Sequence, residues 1–128
     1  MSLRSPLGRV LGHGSAKSGV GHWYAQRVSA IALVLLGLWF VISLMALGDT
    51  SHAAVSAWLG SPVPATLAVL FVVTAAWHAA LGVQVVVEDY VASHGARFVV
   101  LVAVRFVLVV AASIGVLAVL RIVFGGAA

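Results

Sequence analysis

The stretch WHAALGVQVVVEDYV, residues 77–91, holds side chains that could do chemistry: His78 inside an apolar run, then Glu88, Asp89 and Tyr90 where the run ends. An imidazole in an apolar segment can ligate a metal, relay a proton or hydrogen-bond a neighbouring helix. A phenol can donate a hydrogen bond to a carbonyl oxygen, and a neighbouring carboxylate can orient it or pass protons. Beside an apolar slot, that pair meets the needs of quinone reduction at a membrane surface. The same tyrosine also suits an interfacial aromatic belt, and the spacing leaves both readings open. Arg27, in HWYAQRVSA, is a cation that can reach lipid headgroups or meet an anionic group; His22 and Ser29 are weaker candidates beside it.

The elements that carry these residues follow from composition. Of 128 residues, 63% are hydrophobic and 8% charged, against about 25% charged in ordinary globular domains. Three apolar runs are long enough to cross a hydrocarbon core of about 30 Å. The expectation is an all-α membrane protein with one anchor domain over residues 1–128: a basic arm at 1–27 and helices near 28–47, 65–90 and 98–124. The first run is too long and too far from the start for a secretory signal, so it reads as a retained helix. Pro62 and Pro64 suit the start of the second helix, and Gly95 a break before the third.

Charge sets the orientation. Arg4, Arg9, Lys17 and Arg27 precede the first span, whereas the loop GDTSHAAVSAWLGSPVP carries Asp49 and no Lys or Arg. This asymmetry places the N-terminus in the cytoplasm, EDYVASHGAR in a cytoplasmic turn and the C-terminus on the periplasmic side. Trp23, Tyr24, Trp58 and Tyr90 suit aromatic belts at the two interfaces. The arm is basic, serine-rich and free of acids, which also fits an organelle transit peptide. Its Leu3, Leu7 and Leu11 fall four apart, but Pro6, Gly8 and Gly12 weaken a helix there, and a loose surface arm is expected. The lack of a long presequence points to a bacterial inner membrane rather than a mitochondrial one. The net charge of +4 is used for orientation, and no nucleic-acid patch is visible. With no cysteine, an iron–sulfur cluster held through thiolates would have to sit in a partner.

His78 falls near the middle of the second span. Ala75, Ala79 and Gly82 lie around it and leave little side-chain bulk, so a flat macrocycle could approach the backbone; ordinary small-residue helix packing uses the same residues. Ligation of a porphyrin iron is the reading these surroundings favour, with interhelical hydrogen bonding as the alternative. No other histidine lies within the spans, because His13 and His22 precede the first, His52 is in the outer loop and His94 in the inner turn. Two histidine ligands would therefore need a second chain. Tyr90, twelve residues on, lies about 18 Å further along a helix, at the cytoplasmic boundary. Arg105 can snorkel to the same interface.

The segment HAALGVQVVVEDYV resembles the second-helix motif of the succinate dehydrogenase membrane-anchor subunits D, in which a haem-ligating histidine is followed four residues later by glycine and twelve later by the tyrosine of an acid-Asp-Tyr ending. RVSAIAL, at the entry to the first span, is similar to the arginine and small residues found there in that family. The companion anchor C carries a Ser…His-Arg hallmark, which is missing here because Gln26 precedes Arg27. The resemblance implies an assembly of a flavoprotein subunit, an iron–sulfur subunit and anchor subunits C and D, known as respiratory complex II. The anchors would hold haem b between them and form a ubiquinone pocket against the iron–sulfur subunit. It further implies that His78 is an axial ligand to haem iron and Tyr90 the quinone donor with Asp89 its neighbour. Arg27 would lie near haem propionates or quinone, and Gly82 would pack at the haem. This chain would contribute no succinate chemistry alone. A fumarate reductase anchor and a redox-silent membrane tether are the alternatives.

The topology is directly testable. Reporter fusions are expected to place the N-terminus and the His94 turn in the cytoplasm and the C-terminus outside, whereas the reverse would put Tyr90 on the side away from the electron donor.

Overall fold

The computed structural model describes residues 19–125, which form α1 (Gly19–Ala46), α2 (His52–Leu59), α3 (Pro62–Tyr90) and α4 (His94–Phe124). Helices α1, α3 and α4 contain 28, 29 and 31 residues and are apolar enough to be membrane spans. At 1.5 Å per residue each is longer than a hydrocarbon core of about 30 Å. Arg4, Arg9, His13, Lys17 and the Leu3, Leu7, Leu11 spacing lie outside the described residues.

The elements differ from the sequence expectation at their ends. Residues 19–27, expected within a loose arm, form the first turns of α1. Helix α3 starts at Pro62, ahead of the apolar run but where Pro62 and Pro64 suggested, because a proline at the first helical position needs no amide partner there. Helix α4 starts at His94, where the Ser93 hydroxyl accepts from the Ala96 amide at 3.5 Å. Gly95 thus lies inside the first turn of α4 and is not the break. The reversal occupies residues 91–93, and Arg97 braces it by donating from Nε and Nη2 to the Val91 carbonyl at 3.2 and 2.9 Å. At 19–27 and 94–97 the helix continues past the apolar run into polar residues, which hydropathy alone excludes.

The expected outer loop contains the short helix α2. Gly48 ends the preceding segment with φ at +68°, a left-handed conformation that stops a helix. Asp49 then accepts from the Ser51 amide and hydroxyl, both at 2.8 Å. The amide first, and then the hydroxyl, hold its carboxyl below the usual carboxylate range. Ser51 caps α2 by accepting from the Ala54 amide at 3.3 Å.

Helix α3 is the hub of the packing, with α1 and α4 both resting chiefly on it and α2 touching α3 and α4. Small residues allow close approach: a Cβ built on Gly115 of α4 would stand 3.0 Å from Val72 Cγ1 of α3. Ala65, Ala68 and Val119 form a small buried cluster at the α2 end of the bundle, with Leu59, Val69 and Val123 against it. Aromatic rings join the elements nearby: Trp39 stacks on Trp58 at 5.7 Å and Phe40 on Phe71 at 5.6 Å. These contacts are worth about 0.5–1.5 kcal/mol each beyond burial. Trp58, expected in an interfacial belt, is therefore half-buried and holds α2 to α1. Most large apolar side chains remain exposed, and no described large side chain is fully buried.

Candidate cofactor and quinone site

His78 lies on α3 about 18 Å from its Tyr90 end, within the span. Burying an imidazole in hydrocarbon demands hydrogen-bond partners, and α1 supplies them. Nδ1 of His78 lies 2.9 Å from Ser29 Oγ, and Nε2 lies 3.5 Å from Gln26 Nε2. Ser29 is the buried polar side chain among the described residues, and its hydroxyl donates to the Gln26 carbonyl at 3.1 Å. Interhelical hydrogen bonds in membranes average about 0.6 kcal/mol. That is too little to be the main force holding α1 to α3, but enough to orient a ring.

Gly82, one turn further along α3, faces the same α1 side chain. A Cβ there would sit 3.5 Å from Gln26 Nε2, an ordinary contact. Ala75 and Ala79 instead line a small groove against Ala111 and Ala112 of α4. The three small residues around His78 therefore serve two different helix contacts rather than one shared flat face.

Two residues that the sequence reading left weak or unnoticed belong to this seam. His22 and Gln26 share one face of α1 with Ser29, at spacings of four and three, and the buried atoms His22 Nε2 and Gln26 Oε1 have no hydrogen-bond partner within the described chain. The signal was present in the sequence as a polar stripe at 22, 26 and 29.

Tyr90 and Asp89 are brought to the end of α3 but not to His78. Tyr90 is 85% exposed, and Asp89 and Glu88 are also exposed. Arg27 is exposed too, with its guanidinium carbon 5.4 Å from the Trp23 ring centroid, a cation–π geometry. All of these groups are exposed at the end of the bundle that the α3–α4 turn forms. Arg105, expected to snorkel to the interface, donates instead to Gln84 Oε1 at 2.8 Å, and the Gln84 amide donates to Glu88 at 2.8 Å. This chain of contacts stands at one end of an open apolar groove of about 750 Å³ between α3 and α4.

Among the described residues no three His, Asp or Glu side chains converge as a metal-ion cage would need. A porphyrin already supplies four nitrogens, so an axial ligand needs only a single imidazole with a free ring nitrogen. His78 has such an imidazole, with Nδ1 against Ser29 and Nε2 in only the long contact with Gln26.

Residues 1–112 match the family model described as succinate dehydrogenase/fumarate reductase transmembrane subunit. A succinate dehydrogenase hydrophobic membrane anchor subunit of Rickettsia bellii is 36% identical over 104 residues, covering 80% of this chain and 82% of that one. The protein of the same name from Rickettsia conorii is 33% identical over 109 residues, covering 84% and 86%. That from Paracoccus denitrificans is 34% identical over 90 residues, covering 70% of each. With the match running from the N-terminal arm into α4, the chain belongs to the succinate dehydrogenase/fumarate reductase transmembrane subunit family.

Proposed function

We propose that this chain is the D-type membrane anchor of a succinate dehydrogenase, seated in a bacterial inner membrane with its N-terminus cytoplasmic and its C-terminus periplasmic. Its partners are the companion anchor C, the iron–sulfur subunit and the flavoprotein subunit. The observation that carries the reading is His78, a half-buried mid-span imidazole held by α1 through one ring nitrogen. His78 is the residue with which this chain would hold haem b, together with a residue of the companion anchor. When bound, haem b supplies a one-electron store between donor and acceptor. Gly82 keeps the turn beyond His78 slim, while Arg27 is placed to meet propionates or the quinone site.

The succinate chemistry belongs to the flavoprotein. At the cytoplasmic end of α3, the Tyr90 hydroxyl donates to a carbonyl oxygen of ubiquinone and Asp89 orients that hydroxyl and connects it to water. Two electrons and two protons then convert the quinone to its quinol. The exposure of Tyr90 supports this role, because a phenol turned outward can meet a substrate held partly by another chain. The family description also includes fumarate reductase, so the same chain could serve the reverse reaction with a low-potential quinol.

Two measurements test this reading. The purified complex is expected to show a b-type reduced-minus-oxidised spectrum alongside flavin and iron–sulfur protein; a particle with no b-type bands would favour a redox-silent tether. Tyr90→Phe keeps the ring but removes the hydroxyl. A net hydrogen bond is worth about 0.5–1.5 kcal/mol, more where its loss leaves a buried partner unsatisfied, and about 1.4 kcal/mol is a decade in rate. Quinone turnover is therefore expected to fall roughly tenfold, with dye-linked succinate oxidation, haem and subunit content intact. Turnover within about twofold of wild type, less than about 0.5 kcal/mol, would make Tyr90 a belt residue.

A further inference from the structure

The contacts of His78 determine more than its position. A serine hydroxyl has one proton to give, and that of Ser29 is directed to the Gln26 carbonyl at 3.1 Å. With that proton on the carbonyl, the contact of 2.9 Å between Ser29 Oγ and His78 Nδ1 draws its proton from the ring. His78 Nε2 faces the Gln26 amide nitrogen at 3.5 Å, a contact too long to fix a proton. The Ser29 contact thus favours the tautomer protonated at Nδ1, with the lone pair on Nε2.

We propose that Ser29 is a positioning residue for His78, fixing its ring and tautomer so that the Nε2 lone pair is available to an iron porphyrin. The role rests on the reading of His78 as the axial ligand, but differs from a direct cofactor contact by Ser29. A neutral imidazole offers a metal whichever nitrogen is unprotonated, and the hydrogen bond on the other one sets that choice and raises ligand basicity. Ser29 is well suited to this. It is buried, its own proton is engaged within α1, and it sits on a helix whose backbone fixes it. The opposite tautomer would need the Ser29 proton withdrawn from the Gln26 carbonyl onto Nδ1.

The test compares Ser29→Ala and Ser29→Thr in the intact purified complex. Loss of the hydroxyl removes the Nδ1 acceptor and makes the ligand less basic. Ser29→Ala is therefore expected to raise the haem midpoint potential, alter the low-spin EPR signal and weaken haem retention about tenfold or more, as outer-sphere substitutions commonly do. Ser29→Thr, which keeps a hydroxyl at the same position, is expected to restore all three. An alanine variant with unchanged potential, EPR signal and retention overturns the proposal while leaving His78 as a ligand. If the wild-type complex contains no haem, the reading of His78 itself fails instead. A further measurement does not depend on assembly of the variant. Nitrogen NMR of histidine-labelled wild-type chain from haem-deficient cells is expected to show His78 protonated at Nδ1, and protonation at Nε2 would contradict the assignment of Ser29.

Discussion

An imidazole placed in hydrocarbon constrains everything around it. Water is not available to satisfy its nitrogens, and a polar group left unpaired there costs several kcal/mol. The chain meets this demand by laying α1 along α3 so that Ser29 and Gln26 face His78. The contacts themselves are weak as sources of stability. Their consequence is orientation, because they decide which way the ring points and which face of α1 must meet α3.

That seam also explains why α3 is the hub. One of its faces carries His78 and Gly82 toward α1, another carries Ala75 and Ala79 toward α4, and its end carries Asp89 and Tyr90 outward. A single rigid helix thus fixes the distance between a mid-membrane nitrogen and a phenol at the surface, about 18 Å for twelve residues. Such a fixed span suits an electron-transfer anchor, in which one group belongs in the apolar interior and the other must meet protons from water. Little of the chain is buried, and His22 Nε2 and Gln26 Oε1 are left without partners among the described residues.

Much of this could be read from the residues alone. The three spans, the proline start of α3, the mid-span place of His78 and the terminal place of Tyr90 all follow from hydropathy, helix rise and turn chemistry. What escaped was local and polar. Residues 19–27 and 94–97 are helical although hydrophilic, since a membrane helix continues into the interface until a cap or turn stops it. Helix α2 was missed because its start depends on Ser51 and Asp49 side chains, not on apolar periodicity. Gly95 suggested a break, but Ser93 and Arg97 place the turn before it. At the site, the histidine, its glycine and the Asp-Tyr ending were legible as a motif. Gln26 was not, although its spacing with His22 and Ser29 marked one face of α1, because only the packing of α1 on α3 shows which face meets the imidazole.

The central claim is that His78 offers a ring nitrogen to an iron shared with a second chain, and it is tested most directly by His78→Ala in the assembled complex. The reduced-minus-oxidised spectrum, midpoint potential and spin state should be recorded together, since water or a neighbouring side chain can replace a lost ligand and keep the porphyrin bound. The account predicts a changed spin state and a shifted potential even where haem content is preserved. A b-type spectrum, low-spin signal and potential all identical to wild type would contradict it.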